Sequence, residues 1–218
     1  MNLARFIDHT ILKPDTHLSD IERICEEAKQ YGFAAICIPP YYVKDAANIL
    51  EESPVKIGTV IGFPMGYSTT AAKVEEIKRA INDGADELDV VINICSVKNE
   101  RWNFVKNDID SVTRIAHLKG KTIKIILETG LLSASEIKRL CEICSDIGVN
   151  YVKTSTGFNA GGATVEMVAY LKSLVGDKIK IKASGGIRTR EQALALIDAG
   201  ADRLGCSSSI QIVATEEA

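Results

Sequence analysis

The chain has 218 residues, of which 46% are hydrophobic and 25% charged, with a formal net charge of -3. That length and apolar content predict a single domain over residues 1–218 with one core. Dispersed basic residues and a near-neutral balance exclude a general nucleic-acid or anionic-membrane binder. The opening residues lack the apolar stretch of a secretory signal, and no apolar run approaches the roughly 18 residues of a membrane span. The six cysteines are dispersed rather than arranged as a disulfide framework. The expected compartment is the cytoplasm.

Strand-like and helix-like segments alternate along the chain. After a short N-terminal segment, strands are predicted at Phe6–Thr10, Ala34–Ile38, Lys56–Ile61, Glu87–Asn93, Ile123–Glu128, Tyr151–Ser155, Ile179–Ala183 and Arg203–Ser207. Between them, helices are predicted over Leu18–Tyr31, Tyr41–Glu51, Thr70–Asp83, Glu100–Lys119, Ala134–Ile147, Thr164–Val175 and Arg190–Ala199, and a short tail closes the chain. Ser133 and Glu136 have the spacing of a capping box. The strings DGADELDVV, IGVNYVKTS and AGADRLGCS each place a glycine at a helix end just before a strand. Eight βα units at this length predict a closed (β/α)8 TIM barrel of the α/β class, with a doubly wound open sheet as the runner-up.

In such a barrel the active site lies at the C-terminal ends of the strands. Polar residues collect at those ends here: Asp8, Asn93, Glu128, Lys153, Lys182 and Ser207. Strand alternation puts Asp89, Lys124, Lys153 and Lys182 on inward faces, with Asp8 above them. Such a set is either an ion network filling the barrel or a catalytic amine cluster. A lysine attacks a carbonyl only as the free amine, whereas an ordinary lysine has a pKa of about 10.4. Burial and a neighbouring ammonium both favour the free amine. The iminium that follows withdraws electrons from the adjacent carbon, and Asp89 is placed to move the protons. Spacing alone leaves the nucleophile open between Lys153 and Lys182.

Ser184–Arg188 follows the seventh strand, and Gly205–Ser208 follows the eighth. Gly185 and Gly186 expose backbone N–H groups, and Ser207 and Ser208 add hydroxyls, in the loops that cradle phosphate in this fold. GFPMGYSTT is either a substrate loop or a loop with a helix cap. Gly157–Gly162 reads as a mobile rim without the G-K-[ST] of a nucleotide loop. Cys141 and Cys144 form a C-x-x-C late in a helix, where packing is the expected role, since redox pairs open helices. No histidine or cysteine pattern suggests a metal. His9 is read as a substrate contact or a structural group, and His117 as surface.

The strings FIDHTILKPD, GFAAICIPPYYV, IGTVIGFPMG, GADELDVVINI, KIILETGLL, YVKTSTGF, IKASGGIRT and GADRLGCSSS together resemble the deoxyribose-phosphate aldolase family from Phe6 to Val213. The resemblance implies a class I aldolase cleaving 2-deoxy-D-ribose 5-phosphate reversibly to acetaldehyde and D-glyceraldehyde 3-phosphate. It implies Lys153 as the Schiff-base lysine, Lys182 as the second lysine, and Asp89 as the acid/base carboxylate. Asp8, Thr10, Cys37, Thr156 and Gly157 would meet substrate; Gly185, Gly186, Gly205, Ser207 and Ser208 would meet phosphate. It implies no cofactor and no metal, small phosphorylated sugar and aldehyde partners, and a homodimer or homotetramer. The sequence closes on TEEA without the tyrosine tail that some members carry. The competing readings are a Schiff-base aldolase with another donor and a non-catalytic phosphosugar-binding barrel.

Overall fold

The computed structural model describes residues 2–159 and 161–214. A 3-10 turn at Leu3–Phe6 leads into β1 (Ile7–Thr10), α1 (Leu18–Tyr31) and β2 (Ala35–Ile38). Next come α2 (Val43–Ile49), β3 (Lys56–Ile61), α3 (Thr70–Asp83), β4 (Glu87–Val91) and α4 (Ile94–Lys98). Then follow α5 (Trp102–Leu118), β5 (Thr122–Ile126), α6 (Ala134–Ile147), β6 (Tyr151–Lys153) and α7 (Val165–Val175). The chain continues through β7 (Lys180–Ser184), α8 (Arg190–Asp198), β8 (Arg203–Cys206) and α9 (Ser209–Val213). Among the described residues, eight parallel strands close in sequence order, β8 pairing with β1. This is the expected TIM barrel.

Local chemistry explains the element ends. Ser133 Oγ accepts from the Glu136 N–H, and the Glu136 carboxylate accepts from the Ser133 N–H, the predicted capping box of α6. Thr69, Thr164 and Thr189 cap α3, α7 and α8 through their hydroxyls. Gly84 and Gly148 end α3 and α6 with left-handed backbones, which their missing Cβ permits. The third such glycine, Gly200, is also left-handed but follows the helix cap at Ala199.

Alternation along each strand divides the barrel in two. Leu88, Val90, Ile123, Ile125, Val152, Ile181 and Ala183 join the apolar cluster between strands and helices. Their neighbours in the chain, Asp89, Lys124, Lys153 and Lys182, are buried away from that cluster and bond to one another. Register brings them level: Asp89 lies beside Lys124, Lys153 beside Lys182, and Lys182 beside Arg203.

The structure differs from the sequence reading at strand ends. β4 stops at Val91, because Asn93 instead caps α4 by accepting from the Ser96 N–H. β6 stops at Lys153 rather than Ser155, and β5 at Ile126 rather than Glu128, whose backbone is left-handed. α4 and α9 have five residues each and are too short to show a periodic pattern. Cys141 and Cys144 face the core from α6, and burial pushes the Cys141 thiol up to about 12. Packing, as expected, is their visible role. Ala160 of the predicted rim and Thr215–Ala218 of the tail lie outside the described residues.

Candidate active site

Among the described residues, three carboxylates and four basic groups fill the interior of the barrel. Asp89 on β4 is fully buried and accepts from three lysines. Lys124 Nζ lies 2.8 Å from its Oδ1; Lys153 Nζ and Lys182 Nζ each lie 2.7 Å from its Oδ2. Lys182 also donates to Asp8. Lys124 donates to Glu87 at 2.7 Å. Arg203 closes the floor, with Nε 2.7 Å from Asp8 Oδ1 and Nη2 3.1 Å from Glu87 Oε2. Asp8 therefore sits beside Lys182 and Arg203, within the network rather than above it.

Burial opposes every charge here, and the partners outweigh it. Burial alone would raise the Asp8 carboxyl, but Lys182 and Arg203 hold it down at about 2. Burial likewise opposes ionisation of Asp89, which Lys124, Lys153 and Lys182 hold well below the usual carboxylate range. Burial would lower Lys182, but Asp8 and Asp89 hold it above the ordinary lysine value. Lys182 is thus an ammonium fixed between two carboxylates.

This arrangement separates the two lysines that spacing left equivalent. Lys182 and Lys124 each hold more than one carboxylate, and Arg203 holds two. Among the described residues, Lys153 holds Asp89 alone and shares that oxygen with the Lys182 ammonium. Lys153 thus has the fewest ionic partners of the four basic groups. Lys153 also lines a cavity of about 350 Å³, whose wall includes neither Lys124 nor Lys182. Of the three lysines in the network, the one that reaches the cavity is therefore Lys153, backed by a charged second lysine.

The same cavity collects Thr10, Thr156, Gly157, Gly185, Gly186, Gly205 and Ser207 of the expected substrate and phosphate residues. Asp8, Asp89 and Lys182 lie beneath it, fully buried. Cys37 is 1% exposed, and burial pushes its thiol up. It and Ser208 are absent from the cavity wall, Ser208 being the N-cap residue of α9. Arg188 of the expected phosphate loop adds positive charge to the wall, as does Lys13, which spacing missed. It also missed Glu87 and Arg203, although stepping back two residues from Asp89 and from Gly205 finds both on the inward face.

His9 points away from the cavity. Its Nε2 lies 2.7 Å from Glu27 and its Nδ1 3.0 Å from the buried Ser209 hydroxyl, which ties α1 to the start of α9. Burial lowers its pKa, and the Glu27 bond opposes that fall. The structural alternative of the sequence reading holds for His9. His117 is exposed and bonded to Asn150. A larger recess, about 870 Å³ around Phe33 and Val55, lies at the N-terminal strand ends and contains none of this chemistry.

The chain is similar to known aldolases over nearly all of its length. Residues 3–209 match the model of the DeoC/LacD family aldolases. A deoxyribose-phosphate aldolase of Thermococcus gammatolerans is 50% identical over 98% of this chain and 96% of its own. One from Desulfitobacterium hafniense is 52% identical, covering 98% of each chain. The solved tetrameric deoxyribose phosphate aldolase of Aeropyrum pernix superposes with a TM-score of 0.92 at 32% identity, covering 98% of this chain and 90% of that one.

Proposed function

Because the chain belongs to the DeoC/LacD family of aldolases, we propose that it cleaves 2-deoxy-D-ribose 5-phosphate reversibly to acetaldehyde and D-glyceraldehyde 3-phosphate through an imine on Lys153. The observation that carries this reading is the contrast between Lys153 and Lys182. One amine reaches the cavity and holds a single carboxylate; the other is buried and fixed as an ammonium.

In the cleavage direction, Lys153 Nζ adds to the C1 aldehyde of the open-chain sugar and water leaves, giving an iminium. The C3 hydroxyl gives up its proton, the C2–C3 bond breaks, and its electron pair passes to the iminium as an enamine. D-glyceraldehyde 3-phosphate departs. Protonation at C2 and hydrolysis then release acetaldehyde and restore the amine. The iminium is the electron sink, so no step calls on a metal or cofactor. Asp89, directly or through water, moves the protons, and Lys182 keeps Asp89 ionised and supplies a donor beside it. Asp8 holds Lys182 in place, and Thr10 borders the aldehyde end.

The phosphate goes to the loops after β7 and β8. Gly185, Gly186 and Gly205 offer backbone close to the ligand, Ser207 a hydroxyl, and Lys13 and Arg188 positive charge. Thr156 and Gly157 form the facing wall. Cys37 and Ser208 remain part of the pocket's surround in this reading, behind its lining. A cytoplasmic location and a homodimer or homotetramer belong to the same proposal; the tetrameric relative supports the latter.

The test is release of acetaldehyde from deoxyribose 5-phosphate by the wild-type chain and by Lys153→Met. Wild type should turn over, and the variant should lose about a thousandfold or more of kcat. Turnover that survives the substitution would remove the imine from the mechanism.

A further inference from the structure

Glu128 combines two costly features that the aldolase chemistry leaves unexplained. Its backbone is left-handed, with φ of 59°, a conformation that a residue with a side chain adopts rarely. The other such non-glycine residue among those described, Glu100, lies exposed in the turn before α5. Glu128 is completely buried. Its partners among the described residues are all neutral donors: the Thr156 N–H at 3.1 Å, the Thr156 hydroxyl, and Asn159 Nδ2 at 2.9 Å.

These bonds reach one segment only, the loop that leaves β6 after Lys153. Thr156 is locked in both directions, because its hydroxyl donates to Glu128 and accepts from the Phe158 N–H at 3.1 Å. Thr156, Gly157 and Phe158 then form a wall of the cavity facing Gly185 and Gly186. The far end of the loop is held separately, by the Ala163 N–H on Gly185 O at 3.0 Å. Ser184 fixes Thr154 and Ser155 at the near end, and the Phe158 ring stands edge-on to Phe63; between these contacts, Glu128 is what holds Thr156 and Asn159.

We propose that Glu128 is the positioning residue for the phosphosugar side of the cavity: it holds Thr156–Asn159 in the shape that receives the sugar phosphate and leaves the amine chemistry to Lys153. This inference rests on the proposed aldolase function for its substrate but not for its geometry.

Donor and acceptor logic supplies the test. In Glu128→Gln, one orientation of the amide sets its NH2 against the Thr156 hydroxyl and Asn159 Nδ2. The other sets it against the Thr156 N–H. The first requires the Thr156 hydroxyl to turn from donor to acceptor and the Asn159 amide to flip, and the second sets a donor against the Thr156 N–H, so either one re-pairs the loop. The double variant Glu128→Gln with Asn159→Asp reverses the polarity of one bond, so that the new amide donates to the new carboxylate. Three readouts separate the roles: the KM and dissociation constant for deoxyribose 5-phosphate, and the rate at which borohydride traps an acetaldehyde imine on Lys153.

Glu128→Gln should raise both phosphosugar constants about tenfold, with acetaldehyde trapping within about twofold of wild type. The double variant should recover most of that loss. Asn159→Ala, a milder change at a partly exposed position, should raise the same constants about threefold. Trapping at the normal rate also shows that each variant is folded. Unchanged phosphosugar constants in Glu128→Gln, a parallel loss of trapping, or a double variant no better than the single one would each overturn the proposal. Failure of the aldolase reading would show differently, as absent trapping in the wild type. The phosphosugar dissociation constants would then still decide the role of Glu128.

Discussion

At the residue scale, the site works by charge arithmetic in a medium that makes charge expensive. Asp8, Glu87 and Asp89 each pair with at least two of the four basic groups, and Lys153 is the amine with the fewest partners. The same arithmetic sets an acid limit. Asp8 has a folded-state pKa of about 2 against an ordinary 3.8, so the unfolded chain binds its proton more readily than the folded one. The resulting stabilisation, about 2 kcal/mol, is present above pH 3.8 and is lost as pH falls from 3.8 through 2. Asp89, held well below its usual range, acts in the same direction. Urea midpoints measured between pH 5 and 2 should fall most steeply at the lower end. Asp8→Asn should show a shallower decline over that range, and an equally steep one would refute the assignment. The sequence revealed the amine cluster because charged residues alternate with apolar ones in LDVV and KIKAS. It could not choose between Lys153 and Lys182, because partner sharing depends on which strands become neighbours.

At the element scale, short local signals place long-range chemistry. The capping box at Ser133 was readable because both partners lie within four residues, and it fixes the start of α6 just after the β5 loop that carries Glu128. Ser133→Ala should cost about 1 kcal/mol in denaturant unfolding and leave activity nearly unchanged, since α6 contributes nothing to the cavity wall. A loss of activity matching the loss of stability would mean that the β5 loop depends on the helix start. The anchoring role of Glu128 was hidden by the same logic in reverse. The sequence placed it at the end of the fifth strand, but the strand ends two residues earlier and its left-handed backbone turns the side chain toward the β6 loop. Lys13 escaped notice because the loop after β1 has no glycine signature, although it borders the same cavity.

At the scale of the whole molecule, the barrel was legible from the rhythm of eight apolar runs, each leading into small or polar residues. Closure adds what no single segment carries. Pairing β8 with β1 sets Asp8 beside Gly205 and brings Arg203 onto Asp8, residues 195 positions apart. That contact completes the floor of ions on which Lys182 and Asp89 depend. The mechanism turns on which amine carries the substrate. The most direct measurement is borohydride reduction in the presence of deoxyribose 5-phosphate, followed by peptide mass mapping. The structure predicts a reduced two-carbon adduct on Lys153 and none on Lys182. An adduct on Lys182, or no adduct while the phosphosugar still binds, would contradict it.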